Sequence, residues 1–374
     1  MKIIFTGGGT GGHVVPIVAI VREIKNIYKG EDLQFFFIGP KDEIASSLLS
    51  REGIIVKNVM AGKVRRYITL KSFALNFFDI YFKTPVGVIQ SLIYLFFLSP
   101  DLIFSKGGFG SIPVVLAGKL LFTPVFLHES DIVPGIANRI LRGTALEIFT
   151  SFPKTECFSP KKMILAGNPI RRELLYGSKK QAKRIFKINS DKPVILILGG
   201  SQGAQRINDQ ILSVLPQLLE NFEIIHQCGK NNFQALKAEF KAVVNKKLEP
   251  FYHLYPFLKE EELRHAYAAA DLIVSRAGSG SIFEIAAAGK PSILIPLPES
   301  AQNHQVKNAY AYQENGAALV IEENNFTSHF FLEKLKFIFS NPAEVEEMAK
   351  KAKDFSKPEA GWIIANYIVE YLVK

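Results

Sequence analysis

The chain has 374 residues, which is long for one hydrophobic core and favours two domains. Its formal net charge of +10 favours anionic partners such as a nucleotide, a diphosphate or an acidic membrane surface. We expect no nucleic-acid partner, because the lysines and arginines are scattered and no nucleic-acid-binding motif accompanies them.

The cysteines and the N-terminus indicate the compartment. The spacing of the two cysteines, Cys157 and Cys228, is not that of a metal site, which predicts free or buried thiols in a reducing cytosol. The segment before the first glycines is too short for the apolar region of a signal peptide. We therefore expect the protein to stay inside the cell.

Apolar strand patterns alternate with helical patterns in the first part of the chain. The predicted elements are strand 2–6, helix 13–28, strand 33–38, helix 41–51, strand 54–59, strand 101–105, helix 112–121 and strand 124–128. Such alternation is typical of βαβ units, which form a parallel sheet with helices on both faces.

The stretch 64–98 interrupts this alternation. A helix over 70–83 would carry its polar residues on one stripe, formed by Ser72, Asn76, Asp79 and Lys83. Residues 86–98 are almost wholly apolar but would span only about 20 Å as a helix, against roughly 30 Å of hydrocarbon, so we do not expect a membrane crossing. Two interpretations stay open: a core helix beside a surface helix, or a membrane-facing patch flanked by Lys63, Arg65, Arg66, Lys71 and Lys83.

The alternation of strands and helices restarts at residue 193. The predicted elements are strand 193–199, helix 206–220, strand 223–227, helix 232–240, strand 251–255, helix 260–269, strand 271–275, helix 281–288 and strand 292–296. The turn-rich segment 167–172 suits a linker, and the chain is predicted to be helical after Pro342. We therefore predict an α/β protein with two similar domains on either side of a cleft.

Two glycine-rich loops each join an apolar strand to a helix. They are residues 7–13, Gly-Gly-Gly-Thr-Gly-Gly-His, and residues 199–205, Gly-Gly-Ser-Gln-Gly-Ala-Gln. Glycine lets the backbone approach a ligand, and a helix N-terminus attracts negative charge, so each loop could hold a phosphate or a sugar. No acidic residue ends the strand after the first loop, and neither loop continues into Gly-Lys-Ser/Thr, which disfavours a dinucleotide site and a P-loop.

Three residues near the ends of predicted strands are candidates for chemistry, because ligands of open parallel sheets bind there. His13 would lie in a first helical turn, where the helix dipole favours a neutral imidazole able to act as a general base. Glu129 could orient a substrate hydroxyl or serve as the alternative base, and Glu284, in the first turn of its predicted helix, would suit a ribose diol. No Asp-x-Asp pair is present to hold Mg²⁺, so we expect neither a metal nor another cofactor.

The motifs, in their order and spacing, resemble the MurG family of N-acetylglucosaminyltransferases, glycosyltransferase family 28, from residue 7 to about 309. They are Gly8–His13 with Pro16, His128–Asp131 with Pro134-Gly135 and Ala137-Asn138, Gly167–Arg171, Gly199–Ala204, Arg276–Gly278 with Glu284–Pro291, and Asn303–Gln305 with Asn308-Ala309. Two segments depart from the family pattern. Glu129-Ser130-Asp131 stands where many relatives carry Glu-Gln-Asn, and Ala277–Ser281 stands where some carry Ser-Gly-Ala-Leu-Thr.

The resemblance implies a GT-B fold with two Rossmann-like, doubly wound parallel-sheet domains facing a central cleft. Residues 1–166 would bind a lipid acceptor and associate with the membrane, residues 167–340 would bind UDP-GlcNAc, and the helices of 341–374 would cross back to the first domain. The implied reaction is an inverting, metal-independent transfer of GlcNAc from UDP-GlcNAc to the 4-hydroxyl of the muramoyl residue of lipid I, giving lipid II and UDP. The implied location is peripheral, on the cytoplasmic face of an anionic cell membrane.

The resemblance also implies the site residues. Donor contacts would come from Thr10, Gly11, Gly12, Arg171, Ser201, Gln202, Gly203, Phe257, Gly278, Ser279, Gly280, Ser281, Glu284, His304, Gln305 and Asn308. Acceptor contacts would come from Thr10, His13, Gly108, Glu129 and Asn138, with His13 or Glu129 as the base. Another GT-B transferase that makes a glycolipid, a non-catalytic nucleotide-sugar-binding protein and a Rossmann oxidoreductase are the alternative functions.

Overall fold

The computed structural model describes residues 1–8, 11–63, 65, 69–200 and 203–373. It divides the chain into two compact units. The first consists of Met1–Arg171 together with Pro358–Lys374, and the second of Arg172–Lys357.

The first unit contains a seven-stranded parallel sheet. Its strands are β1 (Lys2–Thr6), β2 (Gln34–Gly39), β3 (Ile55–Asn58), β4 (Leu102–Ser105), β5 (Val125–Glu129), β6 (Glu147–Thr150) and β7 (Met163–Leu165), in the spatial order β3-β2-β1-β4-β5-β6-β7. The order reverses between β1 and β4, and a ligand of such a sheet binds at the carboxyl ends of the strands beside this point.

Helices cover both faces of this sheet. They are α1 (Gly11–Ile27), α2 (Glu43–Arg51), α3 (Leu70–Phe78), α4 (Thr84–Leu98), α5 (Ser111–Leu120) and α6 (Ile136–Leu141). Alternate strand residues enter two different cores, since Ile3 and Phe5 pack with α1 whereas Ile4 packs with α5. Burial on both faces explains why β1, β4 and β5 are almost continuous apolar runs.

Helices α3 and α4 form one continuous helix, because the residues between them, Asp79–Lys83, are π-helical. The expectation of two separate segments was wrong. The helix Ser72–Leu98 is long and apolar enough to cross a membrane, by length and composition alone. Of an apolar 18-residue stretch of this helix, 17% is buried. Core helices of soluble proteins can be equally long and apolar. The length of the continuous helix, however, no longer excludes a membrane crossing, as the shorter predicted helix over 86–98 did.

The second unit contains a six-stranded parallel sheet. Its strands are β8 (Val194–Leu198), β9 (Glu223–Gln227), β10 (Tyr252–Tyr255), β11 (Leu272–Ser275), β12 (Ser292–Leu294) and β13 (Ala318–Val320), in the order β10-β9-β8-β11-β12-β13. Its helices are α7 (Lys179–Ile185), α8 (Gln205–Asn221), α9 (Phe233–Val243), α10 (Glu260–Ala269), α11 (Ser279–Ala288), α12 (His304–Gln313), α13 (Ser328–Ser340) and α14 (Pro342–Phe355). The order reverses between β8 and β11. The prediction of two Rossmann-like parallel-sheet domains is confirmed.

The last helix, α15 (Ala360–Val373), belongs to the first unit. It packs along α1, where Ile364, Ala365 and Ile368 enter the same apolar core as β1. The Tyr367 hydroxyl donates a hydrogen bond of 2.8 Å to the Glu147 carboxylate at the start of β6. The preceding helix α14 packs on α11 within the second unit.

Candidate functional site

In the first unit, two glycine turns meet beside His13 at the reversal point of the sheet. The Gly8 N–H, after β1, donates to the Gly107 carbonyl, after β4, at 3.0 Å. A Cβ on Gly108 would lie 2.9 Å from His13 Nε2, and a Cβ on Gly8 would lie 3.1 Å from His13 Nδ1. Glycine at both positions therefore leaves the space that the imidazole occupies. The structure brings the predicted residues His13 and Gly108 together.

Glu129 ends β5 and is only 4% exposed. Its carboxylate accepts hydrogen bonds from Asn138 Nδ2 at 2.9 Å, the Gly135 N–H at 3.0 Å and the Asp131 N–H at 3.1 Å. Burial, with the Asp131 charge adding to it, raises the pKa of Glu129 to about 7. The predicted residues Glu129 and Asn138 are thus in direct contact. The Glu129 carboxylate also holds the backbone of the loop that follows β5.

A buried lysine, Lys106, lies beside this loop and is not among the predicted site residues. Its Nζ lies 2.6 Å from His128 Nδ1 and 3.1 Å from Asn168 Oδ1, and it also donates to Ser130 Oγ. Burial lowers the pKa of Lys106 to about 7, against the opposing effect of the Glu129 and Asp131 charges. The signal in the sequence is its position directly between an apolar strand and a glycine pair.

His128 is neutral, because burial holds its pKa well below the usual range. Its Nε2 lies 3.0 Å from the Gly167 carbonyl, which can only accept, so the ring proton is on Nε2. Nδ1 therefore accepts from Lys106. The strand ends of β4, β5 and β7 are joined through this lysine and histidine.

In the second unit, the glycine loop after β8 lies at the other reversal point. Gly203 has a φ of +81°, and a Cβ there would lie 2.5 Å from the Cys228 carbonyl oxygen and from Asn232 Nδ2. Only glycine fits this turn, which leads into α8 at Gln205. Ser201 and Gln202, like Thr10 in the first unit, lie outside the described residues.

The start of α11 brings together several predicted donor residues after β11. Gly278 is the N-cap of α11, followed by Ser279, Gly280 and Ser281, and a Cβ on Gly278 or Gly280 would have no neighbour within 4 Å. The backbone is therefore open to a ligand at both glycines. Glu284 lies in the second turn of α11, because the helix begins two residues earlier than predicted, so its placement in a first turn was wrong. The Tyr267 hydroxyl donates to Glu284 Oε2 at 3.2 Å.

The segment after β12 carries the remaining predicted residues of this unit. Gln305 Oε1 accepts from the Leu297 N–H at 3.1 Å, and Asn308 is fully buried on α12, which begins at His304. Phe257 is partly exposed, and the N–H of the next residue, Leu258, donates to Gln227 Oε1 at 2.9 Å. These contacts fix the loop backbone.

Besides Thr10, three predicted donor residues belong to the first unit: Gly11, Gly12 and Arg171. Glu323, which was not predicted, forms ion pairs with Arg206 at the start of α8 and with Arg276 directly after β11. Over residues 1–8, 11–63, 65, 69–200 and 203–373, no group of three or more His, Cys, Asp or Glu side chains is placed to hold a metal ion.

Comparison with known proteins identifies the family. Residues 3–150 match the glycosyltransferase family 28 N-terminal domain, and residues 194–361 match the C-terminal domain of that family. A curated protein of Clostridium tetani is 39% identical over 342 residues, which are 91% of this chain and 90% of that protein. A protein of Lachnoclostridium phytofermentans is 36% identical over 94% of each chain. Both are named UDP-N-acetylglucosamine--N-acetylmuramyl-(pentapeptide) pyrophosphoryl-undecaprenol N-acetylglucosamine transferase.

Solved structures agree with this assignment. The crystal structure of Acinetobacter baumannii MurG superposes with a TM-score of 0.74 at 26% identity, over 99% of each chain. A Staphylococcus aureus MnaA structure with UDP superposes with a TM-score of 0.71 at 15% identity, over 100% of this chain and 97% of MnaA, which indicates a shared fold alone.

Proposed function

The chain belongs to glycosyltransferase family 28, and we propose that it transfers GlcNAc from UDP-GlcNAc to lipid I, the undecaprenyl-diphospho-muramoylpentapeptide. The acceptor group is the muramoyl 4-hydroxyl, and the products are lipid II and UDP. The observation that carries this proposal is the 39% identity, over nine tenths of both chains, to a relative with that name.

His13 is the proposed general base of this inverting displacement. Its ring lies against Gly8 and Gly108 at the carboxyl ends of β1 and β4, where an open sheet presents its ligands. Glu129 is the weaker candidate, because its two oxygens already accept three N–H groups and its side chain is buried. In this proposal Glu129 and Asn138 shape the acceptor loop, and His13 accepts the proton of the hydroxyl.

The second unit is the proposed donor site. The backbone of the Gly199–Gly203 loop and the N-terminus of α8 would stabilise the charge that develops on the departing UDP. Glu284 would accept from the ribose hydroxyls, with Tyr267 holding one of its oxygens. The exposed backbone at Gly278 and Gly280, together with Gln305, would contact the diphosphate and the sugar.

The helix 72–98 is the proposed membrane contact, because its polar stripe faces the protein and many of its apolar side chains are exposed, although Leu95 is buried in the core. Asn76 exchanges two hydrogen bonds of 2.7 Å with the Arg65 backbone, and the buried Asp79 carboxylate pairs with Arg65 at 2.7 Å and Lys83 at 2.6 Å. Phe73, by contrast, is 72% exposed. Of the five expected flanking cations, Arg65 and Lys83 therefore pair with Asp79, and Arg66 lies outside the described residues.

The apolar surface continues at the end of α5. Phe122 is 92% exposed, and a cavity of about 450 Å³ beside it is lined by Val88, Leu116, Lys119, Leu120 and Phe122. Apolar surface of this extent marks a partner or a membrane. The lipid acceptor stays in the bilayer, since each exposed methylene costs about 0.8 kcal/mol, so the protein has to reach the membrane surface. We place it peripherally on the cytoplasmic face.

A coupled assay tests the proposed transfer. Purified protein with UDP-GlcNAc and a short-chain, water-soluble lipid I analogue should release one UDP for each disaccharide formed. UDP, and not NAD, should raise the melting temperature by several degrees at saturation. UDP binding without any turnover on this acceptor would instead indicate a nucleotide-sugar-binding protein or a transferase for another lipid.

A further inference from the structure

Lys106 connects three strand ends of the first unit through one ammonium group. It follows β4 directly and is only 3% exposed. Its three partners come from two other loops: His128 and Ser130 at the end of β5, and Asn168 after β7. The main chain of Lys106 continues into Gly107 and Gly108, the turn against which His13 lies.

We propose that Lys106 is a positioning residue of the acceptor site, which holds the loop 128–131 and the turn 167–168 against the glycine turn that supports His13. This inference rests on the proposed function. It concerns a residue that acts through others, because the hydrogen bonds of its Nζ go to protein atoms and its side chain is buried.

The charges around Lys106 explain why a lysine stands there. The titratable groups that face it are Glu129, Asp131 and the neutral His128 on the β5 loop, and His13 on α1 lies across Gly7 from it. A buried carboxylate followed two residues later by a second one requires a nearby cation. Lys106 supplies this charge, and since a Coulomb interaction is mutual, it favours the ionised form of both carboxylates.

The titration of this cluster falls near neutral pH. Burial lowers the pKa of Lys106 to about 7, and burial raises the pKa of Glu129 to about 7. Removing the ammonium leaves the carboxylates without their cation, so their pKa values rise further. The acid limb of the activity profile should then move to higher pH, because the Glu129 carboxylate holds the Asp131 and Gly135 N–H groups.

The test compares Lys106→Met, which keeps the length of the side chain and removes its charge, with the double variant Lys106→Met/Asp131→Asn. The exposed Lys161→Met in the same unit is the matched control. Lys106→Met should lower kcat/KM for the soluble acceptor by about 10–100-fold, the range of a lost charged hydrogen bond, and leave the Kd of UDP unchanged. The double variant should recover part of that loss, because removing one carboxylate restores the local charge balance.

Specific outcomes would overturn the proposal. These are an unchanged acceptor kcat/KM and pH profile in Lys106→Met, a parallel loss of UDP affinity, or a double variant no more active than Lys106→Met. Unfolding of both Lys106 variants would assign the residue to the fold of the unit and also overturn it. If the parent shows no transfer at all, the proposed function fails instead.

If the parent shows no transfer, the free energy of unfolding measured as a function of pH tests the role of Lys106 independently of activity. A lysine with a lowered pKa makes the folded protein gain stability as pH rises from about 7 towards 10.5. This gain should disappear in Lys106→Met and persist in Lys161→Met. If Lys106→Met shows the same gain in stability with pH as the parent, Lys106 is not the buried group that titrates, and the proposal is overturned.

Discussion

His13 and Glu129 differ in what already surrounds their polar atoms. Glu129 is enclosed by three N–H donors of its own loop, whereas His13 lies between two glycines, Gly8 and Gly108, that present no side chain. A base must reach the proton that it removes, and the two glycines fix the place of the imidazole ring at the carboxyl ends of β1 and β4. In the proposed mechanism, His13 accordingly takes the proton and Glu129 shapes the acceptor loop, whereas the sequence offered both residues as candidate bases.

His13→Ala should lower kcat by about 10²–10⁴-fold and leave the affinity for UDP unchanged, because a base acts on the chemical step alone. Gly108→Ala is the companion variant: its Cβ would lie 2.9 Å from His13 Nε2, and φ is +80° there. It should displace the ring and lower kcat in the same direction. Steady-state kinetics with UDP titration calorimetry measure both effects. A loss of UDP affinity in His13→Ala would show that the residue is structural.

Glu284→Ala should raise the KM for UDP-GlcNAc and leave the KM for the acceptor unchanged. A carboxylate that accepts from ribose hydroxyls makes charge-assisted hydrogen bonds, whose loss costs roughly 1.5–3 kcal/mol, or about 10–100-fold. Tyr267→Phe is the control, because it removes only the hydroxyl that orients Glu284. It should cause a smaller change of the same sign. An unchanged donor KM in Glu284→Ala would contradict the ribose contact.

Lys106 shows why the sequence did not predict every residue of the site. Its type and position were visible, but its hydrogen-bond partners lie 22, 24 and 62 residues away along the chain. A single sequence does not show which lysine is buried, and lysines are usually exposed. The same reason hides the ion pairs of Glu323 with Arg206 and Arg276. By contrast, the approach of His13 to Gly8 and Gly108 involves two glycine-rich segments that are visible in the sequence.

At the scale of elements, ten of the thirteen described strands were predicted, and β6, β7 and β13 were not. Strands β1, β2, β4, β5 and β8, for example, are largely buried and mostly apolar, and turn residues bound them. Strands β6, β7 and β13 have only four, three and three residues. Their strand conformation depends on hydrogen bonds to a neighbouring strand, which no local pattern records.

The helix 72–98 is continuous where the sequence analysis predicted two segments, 70–83 and 86–98, on either side of Pro85. Pro85 lacks an N–H and is typical of the first turn of a helix. Here the π-helical turn Asp79–Lys83 precedes it, and the Asp79 carbonyl accepts from both the N–H and the hydroxyl of Thr84, the latter at 2.9 Å. The helix therefore continues through the proline, and its polar stripe packs inward.

The outward face of this helix gives an element-level prediction. Changing Phe73, Phe77 and Phe78 to Ser should reduce co-sedimentation with anionic liposomes and activity on membrane-embedded acceptor, while activity on the soluble acceptor persists. Each phenylalanine contributes up to roughly 1.5–3 kcal/mol when it becomes buried in the membrane. Because all three side chains are exposed, the variant should keep the melting temperature of the parent.

The matched control is Phe330→Ser/Phe337→Ser, which changes two exposed phenylalanines of α13 in the second unit. It should bind liposomes as the parent does. If the triple variant stays folded and binds liposomes as well as the parent does, the membrane contact lies elsewhere. The cavity beside Phe122 is then the next surface to change.

At the scale of the whole molecule, each unit has its glycine-rich loop at the point where the strand order reverses. The reversals lie between β1 and β4 and between β8 and β11. This repetition was predictable, because a strand, a glycine-rich loop and a helix recur in both halves of the sequence. The two loops differ in what they adjoin: the loop of the first unit lies beside His13, and the loop of the second unit leads into α8.

Activity should survive EDTA, because stabilisation of the departing diphosphate falls to α8, α11 and their preceding loops. A helix N-terminus and its loop N–H groups present about half a positive charge to an anion. In residues 1–8, 11–63, 65, 69–200 and 203–373, no cluster of three or more His, Cys, Asp or Glu side chains is placed to bind Mg²⁺ instead. We expect the initial rate of UDP release after EDTA treatment and desalting to equal that of the untreated protein. Complete loss, restored by Mg²⁺, would mean that a metal neutralises the leaving group.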